Sequence, residues 1–267
     1  MGERVRLLAK LKIELDIDSK DLYKKSSLFQ GFLFENIDTL YAEKLHEQKL
    51  HPYSQYICCE NEKMYWCINT LNNEAYEKII LKLVDDISEI NLKRTNEIIK
   101  IQNKEIKTIE KKELITEFNN IDGESYINFS LLTPMAFKQR GRYVGYPDLR
   151  LIYQSIMNKY SAASQEMIMI DEDVLEQMVD NSNITKFFVK SKTFPLEGIN
   201  IAGAVGNIRI KISGPDLMKR YARLLFRFSE FSGIGVKTGI GMGAIKLNVG
   251  GNDERKRDKD NNRKSAT

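Results

Sequence analysis

The chain has 267 residues, 29% of them charged and 42% hydrophobic, and its formal net charge is +4. This length suits two domains of roughly 100 to 130 residues each, and no apolar run is long enough to span a membrane. Cys58, Cys59 and Cys67 form no Cys-x-x-Cys pair, which excludes a zinc ribbon and a disulfide framework and predicts buried, reduced thiols in a cytoplasmic protein.

The first half of the sequence predicts the order strand, helix, strand, strand, helix, strand. Residues 5–15 alternate between apolar and polar side chains, as in a half-buried strand. After Ser26 and Ser27, apolar residues recur every three or four positions, which predicts one helix to about Leu45. This order is that of a ferredoxin-like unit. The remaining predicted elements are strands at 53–59 and 63–70, a helix at 73–84, and strands at 97–106 and 107–114.

The second half predicts a degenerate copy of the same order after a polar break at 117–123. We therefore predict an α+β protein with two tandem ferredoxin-like (RRM-like) domains, residues 1–118 and 119–249. The charged, asparagine-rich stretch 250–267 has no apolar periodicity and is predicted to be a disordered tail. The elements predicted in this half are a strand at 126–132, a helix at 148–162, hairpin-forming stretches at 184–195 and 199–213, a helix at 215–228 and a short strand at 244–249.

Positive charge is concentrated in the second half. Between Asn181 and Arg227, nine lysines and arginines stand against two acidic residues, which indicates a polyanion-binding surface or, as the alternative, ordinary solvated charge. Phe187, Phe188 and Phe194 alternate with some of these lysines. The helix at 215–228 is amphipathic, with Leu217, Tyr221, Leu224, Leu225 and Phe228 predicted to face inward. The candidate binding residues here are Lys186, Lys190, Lys192, Arg209, Lys219, Arg220, Arg223 and Arg227.

Five of the sixteen glycines lie within eleven residues, 233–243. Alternating glycines let a backbone bend sharply and approach another backbone closely. Their spacing matches neither the P-loop nor the dinucleotide-binding fingerprint. The segment predicts either a loop laid against a phosphodiester chain or a glycine-rich hairpin near the end of a sheet. Its candidate binding residues are Gly233, Gly235, Lys237, Gly241 and Gly243.

Both histidines of the chain, His46 and His51, lie where the first predicted helix gives way to the second strand. Imidazole titrates nearest neutral pH, and Lys49 between them supplies a fixed positive charge. His46, Lys49 and His51 are therefore the candidate catalytic residues. The alternative is that the histidines are packed or solvated structural residues and that Lys49 is a surface charge. Trp66, in a predicted strand, is expected in the core, and the alternative is that its ring stacks on a nucleic-acid base.

Three groups of residues bear a family resemblance. The first is Gln30-Gly31-x-x-Phe34 followed by Leu45-His46-Glu47-x-Lys49 and Tyr53-Ser54, the second is the stretch 130–136, and the third is Gly233-x-Gly235 with Gly241-x-Gly243 and Ile245-Lys246. Together they resemble the CRISPR-associated repeat-RNA-processing endoribonucleases of the RAMP superfamily, over residues 5–249. The glycine loop resembles the whole superfamily, whereas the histidine segment resembles the nucleases within it.

The resemblance implies cleavage of CRISPR precursor RNA within its repeats, with no metal or other cofactor. In such enzymes the ribose 2′-OH attacks the adjacent phosphate and leaves a 2′,3′-cyclic phosphate and a 5′-OH. CRISPR repeat RNA is the expected partner, with no membrane. Phe187, Phe188 and Phe194, on a basic hairpin, are expected to grip this RNA near the cut. Association with subunits of a CRISPR effector complex, and the choice between monomer and homodimer, stay open.

One position departs from the family pattern. Some members carry a catalytic tyrosine in the first helix, and the matching residue here is Phe34, which cannot exchange a proton. The third group is then Tyr41, Tyr53 or His51, or else the site is slow. Two rival hypotheses are a non-catalytic RAMP subunit that binds RNA within an effector complex, and an RRM-like RNA-binding module outside CRISPR.

Overall fold

The computed structural model describes residues 7–18, 21–110, 113–114, 116, 118, 125–164, 171–196 and 198–248. The predicted tail at 250–267 and most of the polar break at 117–123 lie outside these ranges. Within them, no helix is both long and apolar enough to cross a bilayer.

The first sheet has five antiparallel strands in the order β2-β3-β1-β5-β4. The four strands β2-β3-β1-β5 have the ferredoxin-like order, because β1 lies between β3 and β5 and β2 pairs outside β3. The edge strand β4 was not predicted. The bounds are Leu7–Leu15 for β1, Tyr53–Glu60 for β2, Lys63–Thr70 for β3, Glu89–Leu92 for β4 and Glu97–Glu110 for β5.

The predicted single helix at 26–45 is wrong. The chain instead forms α1 (Ser26–Glu35) and α2 (Thr39–Glu47), with a break between them. The Asp38 carboxylate accepts a hydrogen bond from the backbone N–H of Tyr41 at 3.0 Å and so caps the start of α2. The third helix, α3, spans 73–86 and is π-helical over Tyr76–Leu81. The break places His46 in the last turn of a short second helix.

The second sheet has the order β11-β6-β10-β9, again that of a ferredoxin-like domain. The predicted hairpin-forming stretches 184–195 and 199–213 pair with each other as one long hairpin, β9 and β10. The strands are β6 (Tyr126–Met135), β7 (Phe137–Gln139), β8 (Arg142–Val144), β9 (Ser182–Leu196), β10 (Ile199–Ile212) and β11 (Ile245–Leu247); the helices are α4 (Leu149–Ser164), α5 (Glu172–Asp180), which was not predicted, and α6 (Asp216–Ser232).

On the predicted apolar face of α6, Leu225 and Phe228 are buried, and Tyr221 and Leu224 are partly buried against the same core. The prediction for Leu217 is wrong, because this side chain is 68% exposed. Met218 packs against the core in its place, so the buried stripe begins one residue later. The helix also continues four residues beyond the predicted end, to Ser232, where the glycine loop begins.

The two hydrophobic cores interlock. Phe194 and Ile201 of the β9–β10 hairpin belong to the core under the first sheet, and Leu71 from the first half belongs to the core under the second. The expected RNA contact of Phe194 is therefore wrong, since its side chain is fully buried. Trp66 is in the core, as predicted. The interlocking holds the two domains in one orientation and brings the end of α2 to the glycine loop.

The thiols do not all follow the prediction. Cys67 is buried, but Cys58 is half-buried and Cys59 is exposed near the end of β2. Side chains on successive strand residues point to opposite faces, so two adjacent cysteines cannot share one buried face. All three are free thiols.

Candidate active site

The histidine loop comprises residues 46–53. Its first residue, His46, lies in the last turn of α2 and has an exposed side chain. The His46 ring stacks on Phe34 of α1, with ring centroids 4.6 Å apart and planes inclined by 19°. Phe34 in turn meets the ring of Tyr53 edge-on, with centroids 6.3 Å apart. Phe34 therefore supports one face of the imidazole and leaves its nitrogens at the edge of the stack.

The glycine loop, residues 233–243, folds back on itself and against the end of β6. The backbone N–H of Ile234 donates to the carbonyl of Gly243 at 2.8 Å, and that of Val236 donates to the carbonyl of Ala136 at 2.8 Å. A Cβ at Gly235 would lie 2.2 Å from the Ala136 oxygen, and one at Gly243 would lie 1.9 Å from the Ile234 oxygen. These buried glycines are required by the packing of the loop itself, and RNA contact at them stays a prediction.

The two loops meet at Gly239. A Cβ added there would lie 3.2 Å from Cδ2 of His51 and 3.3 Å from the Tyr53 hydroxyl. Two residues earlier, Lys237 is exposed and has a left-handed backbone with φ of +61°. Burial lowers the pKa of His51, electrostatic interaction with Lys237 and His46 lowers it further, and a backbone hydrogen bond with Leu45 partly opposes these effects. His46 and Lys237 therefore both lie close enough to His51 to influence its pKa.

Two tyrosines are candidates for the third catalytic group. The hydroxyl of Tyr53 accepts a hydrogen bond from Nε2 of Gln30 at 2.9 Å, and its ring centroid lies 5.5 Å from that of His51. Tyr41 packs in the core under the first sheet. Burial raises the pKa of both phenols, so both are protonated at neutral pH. Of the two, Tyr53 belongs to the histidine loop and its ring contacts His51.

Lys49 is exposed and lines a cleft of about 420 Å³ between the domains. The histidine loop and the start of α3 form one wall, and the end of α4 forms the other. Lys44 and Glu74 pair at its edge, with Nζ 2.6 Å from Oε1. Lys49 is not among the charges that act on His51, whereas Lys237 is. The cleft is lined by Lys44, Gln48, Lys49, Leu50, His51, Pro52, Leu71, Asn72, Glu74, Lys159, Ala162 and Ala163.

The predicted basic residues of the β9–β10 hairpin have two different environments. Lys186 and Lys190 are exposed on β9, beside Phe187 and Phe188, which are 64% and 80% exposed. Lys192 instead lies with its ammonium 3.7 Å from the centre of the Tyr23 ring in the first domain. The outer part of the hairpin is thus exposed to solvent, while its inner part contacts the first domain.

The other predicted cations contact groups of the same chain. Arg209 donates from Nε to Oδ1 of Asn128 at 2.6 Å, and Arg223 donates to the backbone carbonyl of Tyr126 at 3.3 Å. On α6, Lys219 pairs with Asp216 at 3.1 Å and Arg227 pairs with Glu230. Arg220 is half-buried. Much of the charge of α6 is therefore balanced within the protein.

Among the described residues, no group of three or more histidine, cysteine or carboxylate side chains is arranged to hold a metal ion. The groups gathered where the two loops meet are imidazoles, a fixed ammonium and a buried phenol. Such groups transfer protons and stabilise negative charge.

Comparison with known proteins gives one consistent result. The family model of the CRISPR-associated endoribonuclease Cas6 matches residues 129–245. A CRISPR-associated endoribonuclease Cas6 of Streptococcus thermophilus is 32% identical over 235 residues, which is 87% of this chain and 94% of that protein. Its counterpart in Mycobacterium tuberculosis is 28% identical over 246 residues, 91% of this chain and 77% of that protein.

Solved structures agree in fold. A Cas6 product complex has a TM-score of 0.74 at 17% identity and covers 91% of this chain and 99% of its own. Thermus thermophilus Cas6 has a TM-score of 0.66 at 17% identity and covers 93% of this chain and all of its own. The predicted α+β fold of two tandem ferredoxin-like domains is confirmed.

Proposed function

Because this chain belongs to the family of the CRISPR-associated endoribonuclease Cas6, we propose that it cleaves CRISPR precursor RNA within each repeat and needs no metal ion to do so. The observation that carries this proposal is the contact of the glycine loop with His51, beside the exposed ring of His46. A subunit that only binds RNA has no need for two imidazoles and an ammonium at the meeting point of its two domains.

In the proposed reaction the ribose 2′-oxygen forms a bond to the adjacent phosphorus while the bond from phosphorus to the 5′-oxygen breaks. One proton leaves the 2′-OH and one is delivered to the 5′-oxygen. General acid or base assistance of this kind contributes about 10²- to 10⁴-fold to a rate. His46 is assigned one of these two proton transfers, because its ring is exposed and is supported on one face by Phe34.

His51 is assigned an assisting role. Its lowered pKa keeps the imidazole neutral at neutral pH, and a neutral imidazole can accept a proton. The buried Tyr53 hydroxyl next to it is the other group within reach of this role, whereas Tyr41 lies in the core. Phe34 supports His46 in place of the tyrosine that some family members carry.

Negative charge develops on the pentacoordinate phosphate and is best stabilised by a preorganised cation. Lys49 in the histidine loop and Lys237 in the glycine loop both have exposed side chains. Lys237 is the stronger candidate because its charge acts on His51 and its backbone is fixed in the glycine loop. Lys49 faces the interdomain cleft and is assigned to the RNA strand beside the cut.

The outer part of the β9–β10 hairpin is proposed to hold the RNA away from the cut. Lys186 and Lys190 can pair with phosphates, and the exposed Phe187 and Phe188 rings offer faces on which unpaired bases stack. The cations of α6 are expected to contribute less, because Lys219 and Arg227 are already paired with carboxylates of the same helix.

The test is cleavage of matched repeat RNA by the purified protein in EDTA. We expect one cut per repeat, a 2′,3′-cyclic phosphate on the upstream product, and no cleavage of RNA with a single 2′-deoxy nucleotide at the cut. A strict requirement for Mg²⁺ would overturn the metal-independent mechanism. Tight binding of the repeat without any cleavage would favour the non-catalytic RAMP subunit.

A further inference from the structure

Helix α4 carries a lysine at an unusual position. The Lys159 side chain is almost fully buried, and its ammonium donates to the carbonyl of Gly233 at 3.0 Å and to that of Ser232 at 3.3 Å. These carbonyls lie at the C-terminal end of α6, where the last carbonyls of a helix lack partners within it. A cation is also favoured there by the helix dipole. Lys159 therefore caps α6 from another helix.

A second side chain of α4 holds the same segment. Ser155 lies one turn before Lys159, so the two side chains share one face of the helix. Its Oγ accepts a hydrogen bond from the backbone N–H of Gly235 at 2.8 Å. Together the two residues bind both the carbonyls and an N–H of 232–235, the first turn of the glycine loop.

The other side of this segment is tied to the first domain. Ser54 on β2 donates from its hydroxyl to the carbonyl of Phe231, and Asn69 on β3 donates to that hydroxyl at 2.8 Å. The end of α6 is thus held from two directions by buried side chains. Only one residue, Val236, separates Gly235 from Lys237, and Gly239 follows two residues later against His51.

The charge on Lys159 is not balanced by a direct ion pair in the described structure, since its hydrogen bonds go to backbone carbonyls. Lys44, Lys49, His51 and Glu74 line the same cleft, and Glu74 is paired with Lys44. Burying an ammonium is costly unless it makes specific hydrogen bonds. An ammonium buried at this cost, next to the site, suits a task that a neutral side chain performs less well.

We propose that Ser155 and Lys159 are positioning residues for RNA cleavage, which hold the first turn of the glycine loop so that Lys237 and Gly239 lie against His51. The proposal rests on the proposed function. Neither side chain touches the reacting atoms; both act through the loop. A displacement of about 1 Å in such a loop can lower a rate by about 10²-fold.

The experiment compares three variants with the unchanged chain. Lys159→Met keeps the apolar stem and removes the ammonium, Ser155→Ala removes the acceptor for Gly235, and Asn158→Met is the matched change at the half-buried neighbour of Lys159. Binding is measured with repeat RNA that carries a 2′-deoxy nucleotide at the cut. Cleavage is measured in single turnover at saturating protein, and folding is checked by thermal melting.

We expect Lys159→Met and Ser155→Ala to lower the single-turnover rate by roughly 10- to 100-fold, with dissociation constants within about threefold of the original. Asn158→Met should change neither. Rates equal to that of the unchanged chain, or binding lost as fully as the rate, would overturn the positioning role. If the unchanged chain fails to cleave, the proposed function fails instead. Should Lys159→Met not fold, the smaller Ser155→Ala change decides alone.

Discussion

Replacing Lys159 by methionine should change how stability depends on pH. Burial lowers the pKa of Lys159 from its ordinary value of 10.5 to about 7. Between these two values the unfolded chain binds a proton at this position that the folded chain has lost. Stability therefore rises with pH through this window, and the full cost of burying the charge is present below pH 7.

The size of the effect follows from the two pKa values. One pKa unit corresponds to about 1.4 kcal/mol, so the whole window corresponds to about 5 kcal/mol for a group as buried as this one. Between pH 6 and pH 9 the linkage relation gives roughly 3 kcal/mol. Methionine cannot titrate, so the free energy of unfolding of the unchanged chain should rise by this amount relative to that of Lys159→Met.

The measurement is urea unfolding followed by far-UV circular dichroism at pH 6, 7.5 and 9. All other titrating groups cancel in the difference between the two proteins, and Asn158→Met controls for the added methionine. A difference that stays constant within about 0.5 kcal/mol over this range would refute the reasoning, because it would mean that the ammonium keeps its ordinary pKa.

Two further comparisons use matched residues. Gly239→Ala should lower the cleavage rate by about tenfold, because the added Cβ would lie 3.2 Å from the His51 ring. In the control Gly31→Ala, in α1, the added Cβ meets no atom within 4 Å, so the rate should stay the same and the protein should gain up to about 1 kcal/mol in stability. Equal rates for the two variants would exclude the contact between the loops. Lys237→Ala should lower the single-turnover rate by about 10²-fold, and Lys49→Ala should lower it less. The reverse order would mean that Lys49 stabilises the negative charge on the phosphate.

The order of strands and helices could be predicted because most elements are long and clearly periodic. The errors fall where local patterns are short or ambiguous. Strand β4 has only four residues, too few to display a period. The break between α1 and α2 was marked by Asp38, a favoured N-cap residue, but the apolar residues on both sides continued a helical spacing across it.

Part of the candidate active site could be predicted from the sequence. His46, His51 and Lys237 belong to two segments whose composition is unusual, and each could be singled out alone. Their convergence depends on the interlocked cores, which no local pattern encodes. No sequence pattern indicated a role for Lys159 or Ser155. A lysine in an amphipathic helix, for example, is ordinarily a surface residue. The hydrogen bonds of these two α4 residues become evident only from the packing of the end of α6 against α4 in the structure.

The most direct test of the account is the single-turnover cleavage rate of His46→Ala on repeat RNA that it binds to saturation. His46 is exposed, so its loss should leave folding within about 0.5 kcal/mol of the original. The account predicts a rate lower by about 10²- to 10⁴-fold with unchanged affinity. A rate equal to that of the unchanged chain would contradict it, because the proton transfer would then belong to another group.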